Sequence, residues 1–116
     1  MTKAKNPKAP NRVKLELEYP LRSSTHILYQ YISSPSGLQS WFADHVEVKN
    51  GIYIFRWEDG TDAVCEVIKN VTNKYIRFSV KNSEPDEYLE FRVSQDAITD
   101  DVELIITEFV NESEEA

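Results

Sequence analysis

The stretch of residues 23–44 constrains the fold most, because it is the only helical insert in a chain that otherwise shows strand patterns. It contains a short apolar helix, a Ser-Ser-Pro-Ser-Gly break and a second helical turn that ends at Asp44. A polar tail and one strand come before it, and strands joined by tight turns follow it. This insert is therefore the segment that we expect to cover one face of a long antiparallel sheet.

The first helix of the insert carries one apolar stripe. Ser23 or Ser24 supplies a side-chain oxygen that caps the free N–H groups at its start. The spacing of the apolar residues puts them on one face, which must rest on the sheet. These residues are Ile27, Leu28, Tyr31 and Ile32.

The first helix ends at Ser33-Ser34-Pro35, since the residue before a proline avoids helical geometry, and a second short helix follows. Ser36 can cap it, and Leu38, Trp41 and Phe42 then share one face. Large aromatic side chains at this spacing usually belong to a core, although they can also form the wall of a cavity.

Seven strands are predicted from the alternation of apolar and polar residues, and the last is apolar on both faces. Asn50-Gly51 is the strongest hairpin signal, since a type I′ turn needs positive φ at both positions. In the strands 75–81 and 87–95 the inner face is clear, and Arg77 and Glu90 can meet on the opposite, solvent face. In residues 62–71 two sets compete for the inner face: Val64 and Ile68 against Ala63, Cys65 and Val67. The predicted strands are residues 13–19, 45–49, 52–58, 62–71, 75–81, 87–95 and 101–110.

Length and charge divide the chain into a tail, residues 1–12, and one domain, residues 13–116. Four of the 13 basic residues lie in the tail, which has no acidic residue and few apolar ones, so we expect it to be disordered. The domain then has nine basic and 20 acidic residues. Nucleic acid is a poor partner for such a body, because binding its backbone needs clustered Lys and Arg.

The cellular compartment is predicted from what the chain lacks. No apolar run approaches the roughly 18 residues of a membrane span, and the first residues lack the apolar centre of a signal peptide. The single cysteine, Cys65, excludes an internal disulfide. These features predict a cytoplasmic protein with no membrane span.

The order of strand, two short helices and six further strands resembles the helix-grip fold of the START-like (SRPBCC) superfamily. Residues 34–44, Ser-Pro-Ser-Gly-Leu-Gln-Ser-Trp-Phe-Ala-Asp, are similar to the P-x-x-L-x-x-W signature of the branch that activates the heat-shock chaperone ATPase. Residues 88–93, Tyr-Leu-Glu-Phe-Arg-Val, are similar to small START-like proteins of Bacteroidetes. The resemblance covers residues 13–110 and implies an α+β fold with a curved six-strand antiparallel meander.

The family pattern ends with a long helix across the concave face of the sheet, and this chain departs from it. The sequence stops at residues 111–116, where Asn111 or Ser113 could cap such a helix. Three alternatives stay open: the chain is truncated, the open face is covered by a second copy in a homodimer, or the two short helices fold further across it.

Catalytic chemistry finds little support in the sequence. His26 and His45 are the only histidines, and capping or exposed roles suit both better than general-base catalysis. Cys65 has no base near it in sequence and is predicted to be a buried structural thiol. No zinc, phosphate-loop or nucleophile-elbow motif is present, so the sequence predicts no catalytic residue, no metal site and no cofactor.

A binding function remains, with an apolar cavity between the sheet and the helical insert as the leading hypothesis. Its ligand would be a lipid-like or aromatic small molecule. The alternative is a protein-binding domain that resembles the chaperone-ATPase activators, supported by the Trp41 signature and the acidic body. A cyclase- or hydrolase-like enzyme is a third hypothesis and needs Arg56, Glu58 and Glu66 to converge inside the cavity. The predicted cavity residues, which a packed core would use equally, are Trp41, Phe42, Tyr53, Phe55, Trp57, Phe78 and Phe91.

Overall fold

Two short helices lie on one face of a single seven-stranded antiparallel sheet. The computed structural model describes residues 12–111, with side chains for residues 13–110. The order of elements confirms the α+β, helix-grip-like fold. The elements are β1 (Arg12–Leu21), α1 (Thr25–Ser33), α2 (Pro35–Trp41), β2 (His45–Lys49), β3 (Ile52–Arg56), β4 (Asp62–Val71), β5 (Tyr75–Val80), β6 (Leu89–Gln95) and β7 (Val102–Asn111).

The strands follow the chain order from β2 to β7, and β1 then pairs with β7 to give the order β1-β7-β6-β5-β4-β3-β2. The register of this last pair sets Leu17 opposite Ile106 and Tyr19 opposite Leu104. The first and last strands of the domain are therefore neighbours, and β1 and β2 form the two edges of the sheet.

The core lies between the helices and the inner face of the sheet. Leu28 and Ile32 of α1 and Leu38 of α2 are buried there. α1 contacts β5 and β6, and α2 contacts β2. The two helices thus cover the middle of the sheet, and they leave the inner face open over part of β1 and β7. Asn111 still belongs to β7, and residues 112–116 lie outside the described part of the chain.

Capping of the helices agrees only in part with the sequence prediction. Ser24 caps α1, where its Oγ accepts a hydrogen bond of 3.1 Å from the Ile27 N–H. The prediction that Ser36 caps α2 was wrong. Ser34 caps it, and its Oγ accepts a hydrogen bond of 3.0 Å from the Gly37 N–H. Pro35 occupies the first helical turn, a position where its missing N–H costs nothing.

Half of the predicted stripe on α1 points away from the sheet. Leu28 and Ile32 are buried, but Ile27 is 50% and Tyr31 is 47% exposed. A short helix lying on a sheet buries only a narrow strip, so the outer half of a four-residue stripe remains at the surface. Two large apolar side chains are therefore left for another contact.

Burial resolves the ambiguity of β4, which also contains a β-bulge. Cys65 is buried and stands opposite Val80 on the inner side, together with the half-buried Ala63 and Val67. The register shifts between Val67 and Lys69, and Ile68 is 54% exposed. Ala63, Cys65 and Val67 therefore form the inner set, and the alternation is regular until the bulge that follows Val67.

The predicted meeting of Arg77 and Glu90 is confirmed, but Glu90 is buried rather than on an open solvent face. Glu90 accepts hydrogen bonds from Nε of Arg77 at 2.9 Å and from Nε of Arg92 at 3.0 Å. The guanidinium of Arg77 lies 4.3 Å from the centre of the Tyr88 ring, and that of Arg92 lies 4.1 Å from the centre of the Tyr75 ring. These stacked side chains cover the carboxylate on the outer face of the sheet.

Apart from Arg12, which begins β1, the predicted basic tail lies outside the described residues. Neither α1 nor α2 is long enough to span a membrane, and residues 12–111 contain no other α-helix.

Candidate functional site

The seven predicted cavity residues come together in one aromatic cluster under the helices. Each ring lies within 6.4 Å, centre to centre, of at least one other ring of the set. Phe42 is the hub, with Phe55 and Phe91 each 5.0 Å away in edge-to-face contacts. Phe55, Phe78 and Phe91 are fully buried. The centre of the cluster is therefore packed core, and only its two ends border open space.

Tyr53 ties the cluster to the helical insert. Its hydroxyl donates a hydrogen bond of 2.7 Å to the carbonyl oxygen of Ser33, at the end of α1. Burial raises the pKa of Tyr53, and the nearby Tyr29 raises it further. The phenol is thus held neutral as a donor, and it fixes the height of α1 above the sheet.

The first open end is a small pocket beside Phe42 and Trp57. Its volume is about 190 Å³. The indole N–H of Trp57 donates a hydrogen bond of 2.8 Å to the Phe42 carbonyl, which holds the ring at the pocket wall. Small-molecule sites usually have about 300–1,000 Å³, so this pocket is too small for a lipid-like ligand. It is lined by Phe42, Phe55, Trp57, Ala63, Cys65, Val80, Ser83, Glu87, Tyr88, Leu89, Glu108 and Phe109.

The second open end is a groove of about 530 Å³ between the helices and the strands β1 and β7. Trp41 is the one predicted residue that borders it. Four large apolar side chains along this groove remain exposed: Tyr19 by 46%, Leu21 by 40%, Tyr31 by 47% and Trp41 by 38%. We call it the β1–α1 groove, and its lining consists of Tyr19, Leu21, Leu28, Tyr31, Ile32, Ser40, Trp41, Leu104 and Ile106.

The crossing of α1 and α2 sets the position of Trp41. A Cβ on Gly37 would lie 2.5 Å from the Gln30 carbonyl oxygen, so only glycine permits the two helices to approach this closely. The indole N–H of Trp41 then donates a hydrogen bond of 2.7 Å to the Tyr31 carbonyl. The ring centre lies 5.3 Å from that of Phe91. Trp41 is therefore fixed with its polar atom satisfied and part of its ring in the groove.

The chemistry of the groove is that of an apolar binding surface. Three hydroxyl groups line it, those of Tyr19, Tyr31 and Ser40. The Ser40 hydroxyl donates a hydrogen bond of 2.5 Å to the Gly37 carbonyl. Its lining includes no acid, histidine, lysine or arginine. Such a surface can hold an apolar molecule and orient a polar end of that molecule through a Tyr hydroxyl.

A family model for START-like superfamily domains matches residues 9–116. The chain belongs to the START-like superfamily. A structure from Bacteroides fragilis is 32% identical, with a TM-score of 0.64, and the match covers 90% of this chain and 78% of that one. The comparison with curated proteins found no match.

More distant structures show the same fold as this START-like domain. One is described as the Aha1 dimer from Colwellia psychrerythraea, with 16% identity, a TM-score of 0.67 and coverage of 83% of this chain and 75% of that one. Another, an uncharacterized protein from Bacillus thuringiensis, has 11% identity, a TM-score of 0.67 and coverage of 84% and 77%. The family and fold resemblance stated from the sequence is confirmed.

The residues considered for catalysis lie apart from the groove of this START-like domain. His26 is exposed and its Nδ1 lies 3.4 Å from Oδ1 of Asn73. Cys65 is buried within the sheet, and burial raises the pKa of its thiol to about 12.

Arg56 is exposed and forms an ion pair with Glu47, outside both cavities. Glu58 and Glu66 are likewise exposed, so the three residues of the enzyme hypothesis do not converge. Within residues 12–111 no group of three or more His, Cys, Asp and Glu residues is arranged to hold a metal ion.

Sequence reasoning missed most of the groove lining. Tyr19 and Leu21 face it from β1, and Leu104 and Ile106 face it from β7. Their apolar alternation was visible, but nothing local showed that these two strands pair. A usable signal was the surplus of large apolar side chains on α1, where a helix of nine residues carries Ile27 and Tyr31 beyond its buried pair.

Proposed function

We propose that this START-like domain binds a small apolar molecule, lipid-like or aromatic, in the β1–α1 groove. The observation that carries the proposal is the concentration of four exposed large apolar side chains in one concave groove of about 530 Å³. That volume lies within the usual range of small-molecule sites, about 300–1,000 Å³. The family supports it, since START-like domains typically bind ligands.

The groove is favoured over the centre of the aromatic cluster that the sequence suggested. Phe55, Phe78 and Phe91 have no exposed surface, and a ligand could reach them only by separating packed rings. Tyr31 and Trp41 already face water, so a ligand would cover them without that cost. Covering about 100 Å² of such apolar surface yields about 2.5 kcal/mol.

The proposal is tested first by native mass spectrometry of the protein purified from its own cells. A reproducible extra mass on the intact chain is expected, and it would identify the ligand class. A titration with N-phenyl-1-naphthylamine, a neutral apolar fluorophore, then measures the groove directly. Its fluorescence should rise on binding and saturate at one molecule per chain.

Variants at the rim of the groove locate the site without disturbing the core. Leu21→Ser and Tyr31→Ser each remove an exposed apolar side chain of the groove, and we expect about fivefold to tenfold weaker binding. Ile68→Ser is the matched control, because Ile68 is 54% exposed and lies outside the groove. Equal affinity in all three variants would contradict binding in the groove.

A protein partner is the second candidate, and the exposure of the groove also favours it. Ile27 extends the apolar surface beyond Tyr31 on the outer side of α1. A structurally similar chain is described as Aha1, and the chaperone-activator branch was the alternative suggested by the sequence. Charge reversal of exposed acids outside the groove should weaken the binding of a protein partner and leave the fluorophore titration unchanged.

A homodimer through the open face would instead hide the groove, and fluorophore binding would then fall as protein concentration rises.

A further inference from the structure

β1 is an edge strand that has no neighbour on its outer side among residues 12–111. It is ten residues long and pairs with β7 along its whole length. A free edge of this length presents a row of N–H and C=O groups that can pair with another strand. The opposite edge, β2, has only five residues. The β1 edge is therefore the larger pairing surface of the sheet.

Pro20 shows which residues of β1 direct their backbone groups to this free edge. Proline lacks an N–H and occurs in edge strands where its nitrogen points away from the sheet. Alternate residues of an antiparallel strand point their N–H and C=O groups to opposite sides. The backbone N–H and C=O groups of the even-numbered residues therefore point to the free edge, as the nitrogen of Pro20 does. A second strand would form its hydrogen bonds with Lys14, Glu16 and Glu18.

We propose that two copies of this chain associate through β1, antiparallel, about a two-fold axis that passes through Leu15. In this register Lys14 of each copy lies opposite Glu16 of the other, so two ion pairs form. Leu15 lies opposite Leu15 of the second copy, and Val13 lies opposite Leu17. The occupant of the edge is thus a second copy of the chain, and charge complementarity selects it.

The charge pattern distinguishes this register from its neighbours. Moving the axis to residue 14 sets Lys14 against Lys14 of the second copy, and moving it to residue 16 sets Glu16 against Glu16. Like charges directly opposite each other in neighbouring strands are destabilising, whereas opposite charges stabilise. Lys14 and Glu16 are exposed, and the described ion pairs of residues 13–110 involve neither. Both are available for a second copy.

The apolar side chains of β1 support the same association. Val13, Leu15 and Leu17 are only half-buried in the single chain. Pairing at the edge places each of them beside an aliphatic side chain of the second copy. These residues differ from those that line the β1–α1 groove, so the association does not depend on ligand binding there.

Cross-linking tests the register. Directly opposite residues of a non-hydrogen-bonded antiparallel pair have Cα atoms about 4.5 Å apart, within the range of about 4.4–6.8 Å that a disulfide spans. Leu15→Cys should therefore give a covalent dimer under mild oxidation, seen by non-reducing electrophoresis. Leu17→Cys alone should not, because its two copies would be about 13 Å apart along the strands. An equimolar mixture of Val13→Cys and Leu17→Cys chains should cross-link. The native Cys65 is 1% exposed and does not compete.

Charge exchange tests the same interface without a cysteine. Lys14→Glu and Glu16→Lys should each weaken the dimer about tenfold or more, and the double exchange K14E/E16K should restore it. Lys69→Glu, an exposed reversal on β4, is the control and should leave the dimer unchanged. Sedimentation velocity over a range of concentrations measures the dissociation constant, against the 13.4 kDa of one chain. A chain that stays monomeric up to about millimolar concentration, a single-charge variant that dimerises normally, or a Leu17→Cys chain that cross-links as fast as Leu15→Cys would each overturn the proposal.

Discussion

Replacing Gly37 by alanine should destabilise the protein, although alanine is the better helix former. Gly37 is buried in α2, where that helix crosses the end of α1. A Cβ there would lie 2.5 Å from the carbonyl oxygen of Gln30, 2.7 Å from Cα of Tyr31 and 2.8 Å from Oγ of Ser34. Two of these three atoms belong to backbone, so they cannot move aside unless α1 moves as a whole.

Two opposing contributions determine the magnitude. Helix propensity favours alanine by about 0.5–1 kcal/mol, whereas overpacking at a close contact costs about 1–3 kcal/mol. Separation of the helices also strains the hydrogen bond from Trp41 to the Tyr31 carbonyl, worth about 1 kcal/mol. We expect the free energy of unfolding to fall by about 1–3 kcal/mol.

Urea denaturation followed by circular dichroism measures this difference, and thermal unfolding gives a second reading. A loss of 1 kcal/mol lowers the Tm of a domain of this size by about 4–8 °C. Ser36→Ala is the matched control, because Ser36 is exposed and its side chain does not cap α2. It should be neutral or slightly stabilising. If Gly37→Ala proves as stable as the wild type, the close crossing of α1 and α2 does not exist, and the placement of Trp41 that depends on it is wrong.

Two further predictions concern buried ionisable groups. Burial raises the pKa of the Cys65 thiol from 9.0 to about 12, so the neutral thiol stabilises the fold fully below pH 9 and this contribution is lost between pH 9 and 12. Urea titrations in that window should show the free energy of unfolding of the wild type falling by up to about 1.4 kcal/mol per pH unit relative to Cys65→Ala. If the free energy of unfolding changes equally with pH in both proteins, the prediction is contradicted. Glu90→Gln leaves the partly exposed guanidiniums of Arg77 and Arg92 without their carboxylate and should cost about 1.5–3 kcal/mol, the value of hydrogen bonds to charged groups. Glu47→Gln removes an exposed ion pair and should cost less than about 1 kcal/mol. Equal losses would show that Glu90 is not buried.

Local signals in the sequence were sufficient for the elements of the fold. Asn50 and Gly51 have φ values of 54° and 79°, as the predicted type I′ hairpin requires. Alternation placed Phe78 and Phe91 on the inner face, and both are fully buried there. In each case the information lies within a few neighbouring residues, where turn geometry and side-chain period act directly.

The groove could not be predicted in the same way, because it depends on the pairing of the first strand with the last. Tyr19 and Leu104 are opposite each other in the sheet although they are far apart in the chain. No local pattern encodes such a pairing, and a different neighbour for β1 would move Tyr19 and Leu21 elsewhere. The burial of Glu90 has a similar cause, since the polar pattern of β6 does not show that two guanidiniums will stack over it.

The energetics of ring packing explain why the ends of the aromatic cluster, and not its centre, are the places for a ligand. Edge-to-face pairs such as Tyr53 with Phe78, whose centres are 5.0 Å apart, contribute about 0.5–1.5 kcal/mol each beyond their buried area. A molecule that entered between them would have to replace several such contacts before it gained any. Trp41 keeps its contacts with Phe42 and Phe91 and still exposes 38% of its surface. Covering that surface adds contacts and removes none, so the same aromatic residues that stabilise the fold also support a binding wall where the cluster meets the β1–α1 groove.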